Sequence, residues 1–428
     1  MKKALVWFYC YLRLRLLRTT LRKRNSFNTQ DLDSVIMHVS TLIYSTLPSP
    51  EKSVSVPDNG AIGCIVTELY VTGGHSPCVT RFVASVCDEY HTFCFITKPR
   101  SEINNGGDGL AETSTVIYSK TKKNQMVLNI VSIYQNIVSS GVSVLFFFVD
   151  KSDMASAVLL SMLKQYTAVK LIIYNQSDHF PYLGAVFSHL VLDFRPESQA
   201  VSLNERLAPA SKIIPLQCGK ANEDRYLSDN ALRSLRQKIG INDEDFFTLT
   251  GCSSYKLLLN DDFTYFEVIK ALLTEEPRLK HVIMSDFTDE QHLKIKAVFH
   301  GAEEAFSRLI FQPLVADYEK HFQACDVFID SFPVGSALTH IDMMRFKKPT
   351  VVKINKQQPL YSFEFYLPEG YPYVYSDVEA FKQGVRTLIK DKCERQRMGE
   401  FLHNYYLETH EFDAVKGLYK AIISDCQR

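Results

Sequence analysis

The run Val142-Ser143-Val144-Leu145-Phe146-Phe147-Phe148-Val149 is apolar at seven of its eight positions. A strand this apolar on both faces cannot leave either face in water, so it belongs inside a sheet covered on both sides by helices. Similar short runs occur at 62–67, 92–97, 169–174 and 190–194, and apolar residues recur at helical spacing over 79–90, 125–139 and 153–166. Such alternation implies a parallel sheet. The pattern resets near 208–220. It then repeats with strands at 246–250, 281–284, 308–311, 327–329, 350–352 and 373–375 and helices between them. The expected fold class is α/β, with two Rossmann-like domains facing a cleft, at 59–210 and 211–395. A helical extension at 1–58 precedes them and a helical tail at 396–428 follows.

Composition adds little except at one end. Lysine and arginine number 48, as do aspartate and glutamate, so nothing draws the whole chain toward nucleic acid and none is expected as a partner. The ten cysteines form no CxxC and several sit in apolar runs, the usage of reduced, buried thiols in a cytoplasmic protein. Residues 1–24 differ: Arg13, Arg15, Arg18, Arg22, Lys23 and Arg24 stand among leucines, with the chain's single tryptophan at Trp7. The apolar part is too short to span a bilayer, and no small-residue cleavage site follows it. Two readings stay open. The helix lies on an anionic membrane surface as a peripheral contact at its cytoplasmic face, or it packs on the protein's own surface.

Ligands of open α/β sheets bind beyond the carboxyl ends of the strands, and four polar loops fall at such ends: 72–76, 175–184, 251–256 and 331–336. Gly73 and Gly74 let the backbone approach a ligand and place His75 at a cleft edge. His179 follows Asp178 in the second loop, as an acid/base candidate or as part of a polar turn capped by Asp178. Lys256 closes a Gly-Cys-Ser-Ser turn, where a cation neutralises a diphosphate or is simply solvated. The stretch Asp326–Asp342 reads strand, tight loop, helix. Backbone N–H groups at Ser336, Ala337, Leu338 and Thr339, with the hydroxyls of Ser336 and Thr339, suit a phosphate at a helix N-terminus. Asp342, one turn on, is placed to accept from a ribose hydroxyl. An ordinary βαβ turn with Ser336 as N-cap fits the same residues. No GxGxxG, GxxxxGK[ST], HExxH or GxSxG occurs, which removes the main support for dinucleotide, P-loop, zincin and hydrolase readings.

Taken together, these loops resemble those of GT-B-fold bacterial glycosyltransferases and, more distantly, the catalytic region of the O-GlcNAc transferase and HMW1C-like group. Thr67–Ser76 resembles the family's TE-x-Y-x-TGGHT, Asn175–Gly184 its NHADHxFWLG, Thr250–Lys256 its xGxxYKxxP, and Asp326–Thr339 its DxYLDSFPxGSxT. The four occur in the expected order over about 60–400; the first 58 residues have no counterpart.

The resemblance implies a glycosyltransferase taking a sugar from a nucleotide-sugar, UDP-linked, to a glycan, lipid-linked or protein acceptor. It needs no cofactor beyond that co-substrate and no metal. Lys256 and Ser336–Thr339 would hold the diphosphate and Asp342 the ribose. His75 would serve the acceptor hydroxyl, and His179 the sugar or phosphate. Departures are Gln176 where the family has histidine, Pro181-Tyr182 for Phe-Trp, and Ser76-Pro77 for Thr-Arg. The paired glutamates of many retaining members are missing, which points to inversion. An inactive GT-B-like partner subunit and a nucleotide-sugar epimerase are the alternatives.

Overall fold

A computed structural model of the chain describes residues 2–48, 60–70, 74–99, 110–119, 125–148, 150, 152–220, 226–315 and 317–428. Two compact units divide it: 1–217 with 415–428, and 218–414. The sequence reading divides the chain at 58, 210 and 395 instead.

The first unit holds a seven-stranded sheet. Its strands are β1 (Ile62–Val66), β2 (Thr92–Pro99), β3 (Thr115–Ser119), β4 (Val144–Phe148), β5 (Lys170–Tyr174), β6 (Leu190–Asp193) and β7 (Ser211–Ile213). Their order is β3-β2-β1-β4-β5-β6-β7, and every pairing is parallel. All five residues of β4 are buried, as the apolar run requires. The second unit holds β8 (Phe246–Gly251), β9 (Leu279–Met284), β10 (Leu309–Gln312), β11 (Val327–Ile329), β12 (Thr350–Lys353) and β13 (Val374–Tyr375), in the parallel order β10-β9-β8-β11-β12-β13. In each sheet the first strand is central and the chain winds outward from it in both directions. The order reverses between β1 and β4 and between β8 and β11, the switch points beside which ligands of doubly wound sheets bind.

Two edge strands, β3 and β7, are not legible in the sequence. An edge strand needs no continuous apolar run, and β7 is three residues with Lys212 and Ile213 exposed.

The N-terminal helices α1 (Lys2–Arg22) and α2 (Gln30–Tyr44) belong to the first core rather than standing apart from it. Cys10, Leu14, Leu17 and Leu21 of α1 and Ile36, Val39 and Ile43 of α2 share one apolar cluster with Leu145 and Phe147. Ser40 Oγ and Ser161 Oγ are 2.8 Å apart, and Gln165 Nε2 donates to Ser40 Oγ at 3.0 Å. The tail is also divided. The helix Lys392–Thr409 packs on Leu338–Arg345 of the second unit. The helix Phe412–Gln427 returns to the first, where Tyr419 packs on Phe82 and its hydroxyl lies 3.2 Å from that of Tyr174.

Candidate functional site

In the first unit, two of the expected loops meet. Gly74 precedes the helix His75–Val86, so His75 is that helix's first residue. Its ring lies edge-on to Tyr70, 5.9 Å between centroids, and Nδ1 is in close contact with Gln176 Nε2 of the loop after β5. Burial lowers the pKa of His75 to about 4, against the opposing charges of Asp150 and Glu68. At neutral pH the imidazole is therefore uncharged, the form that accepts a proton. Gly73 lies outside the described residues. Behind the loop Asp153 caps the helix Met154–Tyr166, accepting from the amides of Ala155 and Ser156, and takes the hydroxyls of Thr67 at 2.9 Å and Thr97 at 2.6 Å. Asp153 is thus the helix cap, while Asp150 Oδ1 accepts from the amide and hydroxyl of Ser152 at 2.9 and 2.8 Å.

His179 is not a solvated turn residue. Its Nδ1 is 3.4 Å from Asp178 Oδ1, and Asp178 does not cap: Arg195, wholly buried, grips its carboxylate with Nε at 2.5 Å and Nη2 at 2.8 Å. Burial raises the Asp178 pKa, but the Arg195 guanidinium, with His179, outweighs it and holds the carboxyl below its usual range. Arg206 Nη2 donates to the carbonyl oxygens of Asp178 at 2.5 Å and Phe180 at 3.0 Å. Sequence reasoning missed both arginines. The available signal was Arg195-Pro196 directly after β6, a cation at a strand end with proline opening the next helix.

The far end of this loop is tied to the N-terminal extension, because Asp33 Oδ1 accepts from the Gly184 amide at 2.8 Å. Burial raises the Asp33 pKa to about 6. A carboxyl whose folded pKa lies above its unfolded value stabilises the fold when protonated, and that contribution is lost as pH rises through 6. Asp33→Asn keeps an acceptor for Gly184 without the charge. The variant is therefore expected to flatten the loss of melting temperature between about pH 4 and about 6. Thermal scans of both proteins across that range check it; parallel pH profiles would contradict it.

In the second unit the loops after β8 and β11 come together. Lys256 Nζ donates to the Gly335 carbonyl at 2.7 Å, the Val334 amide donates to the Lys256 carbonyl at 3.3 Å, and Thr339 Oγ1 reaches the Gly251 carbonyl at 3.5 Å. The lysine ammonium stands over the Phe363 ring, 5.4 Å from its centroid. Gly335 is required here: a Cβ would fall 2.7 Å from Asp330 Oδ2 and 2.8 Å from Phe363. Ala337, Leu338 and Thr339 are half-buried at the start of the helix Leu338–Arg345. The amides in this first turn have no intrahelical acceptor, so positive potential collects there beside Lys256.

Two expected ligand groups are engaged within the protein. Ser336 is buried, and both its amide and its hydroxyl donate to Asp330 Oδ1, at 3.0 and 2.7 Å. The same Asp330 oxygen lies 3.0 Å from His340 Nε2. Asp342 is buried and accepts from Cys218 Sγ at 2.9 Å. His340 was missed as a support of the loop, whereas a strand-end Asp330 accepting from the backbone is what the sequence offers. Only the fold brings residue 340 back beneath residue 330.

Two doubly wound parallel-sheet domains with loops of this kind at their strand ends define the GT-B glycosyltransferase fold, and solved structures show it. A glycosyltransferase of Rickettsia africae superimposes with a TM-score of 0.68 at 12% identity, over 86% of this chain and 99% of its own. Anabaena HepE, solved with UDP and glucose, gives 0.65 at 13%, over 85% and 100%. A mutant Thermobaculum terrenum O-GlcNAc transferase gives 0.59 at 13%, over 98% and 77%. No protein-family model matches the chain, and no curated protein matches it.

Proposed function

We propose that this protein is a glycosyltransferase using a nucleotide-sugar, UDP-linked, and a glycan, lipid-linked or protein acceptor. The observation that carries the reading is Lys256 held against Gly335, at the loop that opens the helix Leu338–Arg345. A cation beside free helix-start amides suits a diphosphate leaving group. Anabaena HepE was also solved with UDP-glucose, in the same fold. In the reaction the acceptor oxygen bonds to the anomeric carbon as the bond from that carbon to the β-phosphate oxygen breaks. The nucleoside diphosphate departs with the electron pair and the acceptor proton goes to neutral His75. A single displacement inverts the anomeric centre, and Lys256 with the helix amides meets the developing charge in place of a metal. Asp342 is assigned to the ribose and His179 to the sugar or phosphate; for Asp342 this requires the Cys218 contact to open. The proposal includes a cytoplasmic site of action and an anionic membrane surface as a partner of residues 1–24. No helix among the described residues is long and apolar enough to cross a membrane.

The test is a thermal-shift screen over nucleoside diphosphates and nucleotide-sugars. UDP at a hundredfold excess over its dissociation constant is expected to stabilise by about 2.7 kcal/mol, a rise of roughly 5–10 °C. If no nucleotide shifts the transition, the chain is the inactive partner subunit. A donor sugar isomerised without any acceptor would make it an epimerase.

A further inference from the structure

The helix α1 is apolar on two opposite sides. One side, Cys10, Leu14, Leu17 and Leu21, is buried against the core, and Trp7 Nε1 donates to Thr46 Oγ1 at 2.9 Å, so the helix is firmly seated. Leu5, Phe8, Leu12 and Leu16 lie about half a turn away round the axis and are 63%, 61%, 42% and 64% exposed. Arg13 flanks this outward stripe on one side and Arg15 and Arg22 on the other, by the same helical spacing. Residues 1–24 carry eight lysines and arginines and no acid; because the whole chain nets zero, residues 25–428 carry −8. Beyond Leu16 the same face continues through Thr19 and Thr20 to Lys23. There a recess of about 430 Å³ opens, lined by Thr19, Thr20, Lys23, Arg24 and Asp31. Arg24 pairs with Asp31 at 2.8 Å, while Lys23 has no acidic partner among the described residues.

We propose that this outward face docks the protein on an anionic lipid bilayer. The four apolar side chains enter the boundary of the acyl region, the flanking arginines lie among the headgroups, and the recess takes a lipid phosphate. The charge selects this occupant. A second copy would bring the same eight positive charges against the first, and a nucleic acid would match the arginines but leave the leucines in water. The inference deepens the membrane-partner part of the proposed function and is independent of the donor chemistry.

The experiment is co-sedimentation of the full chain with vesicles of phosphatidylcholine, with and without phosphatidylglycerol. Deleting residues 1–24 would also strip four side chains from the core, so outward substitutions are used: Phe8→Ser/Leu12→Ser/Leu16→Ser, and separately Lys23→Gln. Wild type is expected to bind the anionic vesicles. The triple variant should bind at least roughly tenfold more weakly, with its melting temperature and UDP response unchanged. Lys23→Gln should weaken anionic binding a few-fold. Wild type that sediments with neither vesicle overturns the membrane reading altogether. Salt-sensitive binding indifferent to the triple substitution leaves residues 1–24 as a membrane contact but removes this face from it. A lipid-independent dimer that the triple variant dissolves would assign the face to a second copy.

Discussion

Lys256→Met should weaken UDP binding by about tenfold to a hundredfold, because a charge-assisted hydrogen bond to a phosphate contributes about 1.5–3 kcal/mol. Methionine keeps an unbranched apolar stem against Phe363 while removing the ammonium that holds the Gly335 carbonyl. The loop 331–336 is also anchored by Asp330 on Ser336 and by the Gly335 amide donating to the Tyr361 carbonyl at 2.8 Å. Its position should therefore survive the substitution, and the loss should appear in the dissociation constant more than in the melting temperature. Calorimetric titration with UDP measures it, with exposed Lys294→Met as the control. An unchanged dissociation constant would remove Lys256 from the diphosphate site.

The other large effect concerns the first unit. Arg195→Leu leaves the buried Asp178 carboxylate without its bidentate partner, which is expected to cost about 3–5 kcal/mol. The cost should shrink when Asp178→Asn is added, since the variant then buries no unpaired charge. It should also fall as pH is lowered, because Asp178 without Arg195 titrates higher. Trp7, the only tryptophan, sits in the first unit, so its fluorescence in a denaturant series follows the unfolding of that unit. A loss under about 1 kcal/mol would mean that water reaches the Asp178 carboxylate when Arg195 goes.

Lys256 and Arg195 show where a linear reading succeeds and where it stops. Lys256 was legible because its signals are local: a strand, a glycine-serine turn and a lysine within a few residues, and likewise the Pro-Val-Gly-Ser turn before residue 338. Arg195 was not. It lies 17 residues from Asp178, and what makes it matter is burial, which the sequence of an arginine beside a proline does not display. Gln176 was noted only as a departure from a familiar pattern, yet the fold sets it against His75, 101 residues away.

The sequence by itself determined the alternation of strands and helices, the strand-end placement of the four loops, and the basic character of the first helix. Each follows from side-chain periodicity and turn chemistry, which act over a few residues. Tertiary structure alone decided that β3 and β7 complete the first sheet and that Phe412–Gln427 returns to the first unit. It also decided that Ser336 spends its hydroxyl on Asp330, and that α1 buries one apolar side while leaving the other exposed. Those outcomes depend on which distant groups share a dehydrated space, where an unpaired charge or donor is costly and an apolar side chain is not.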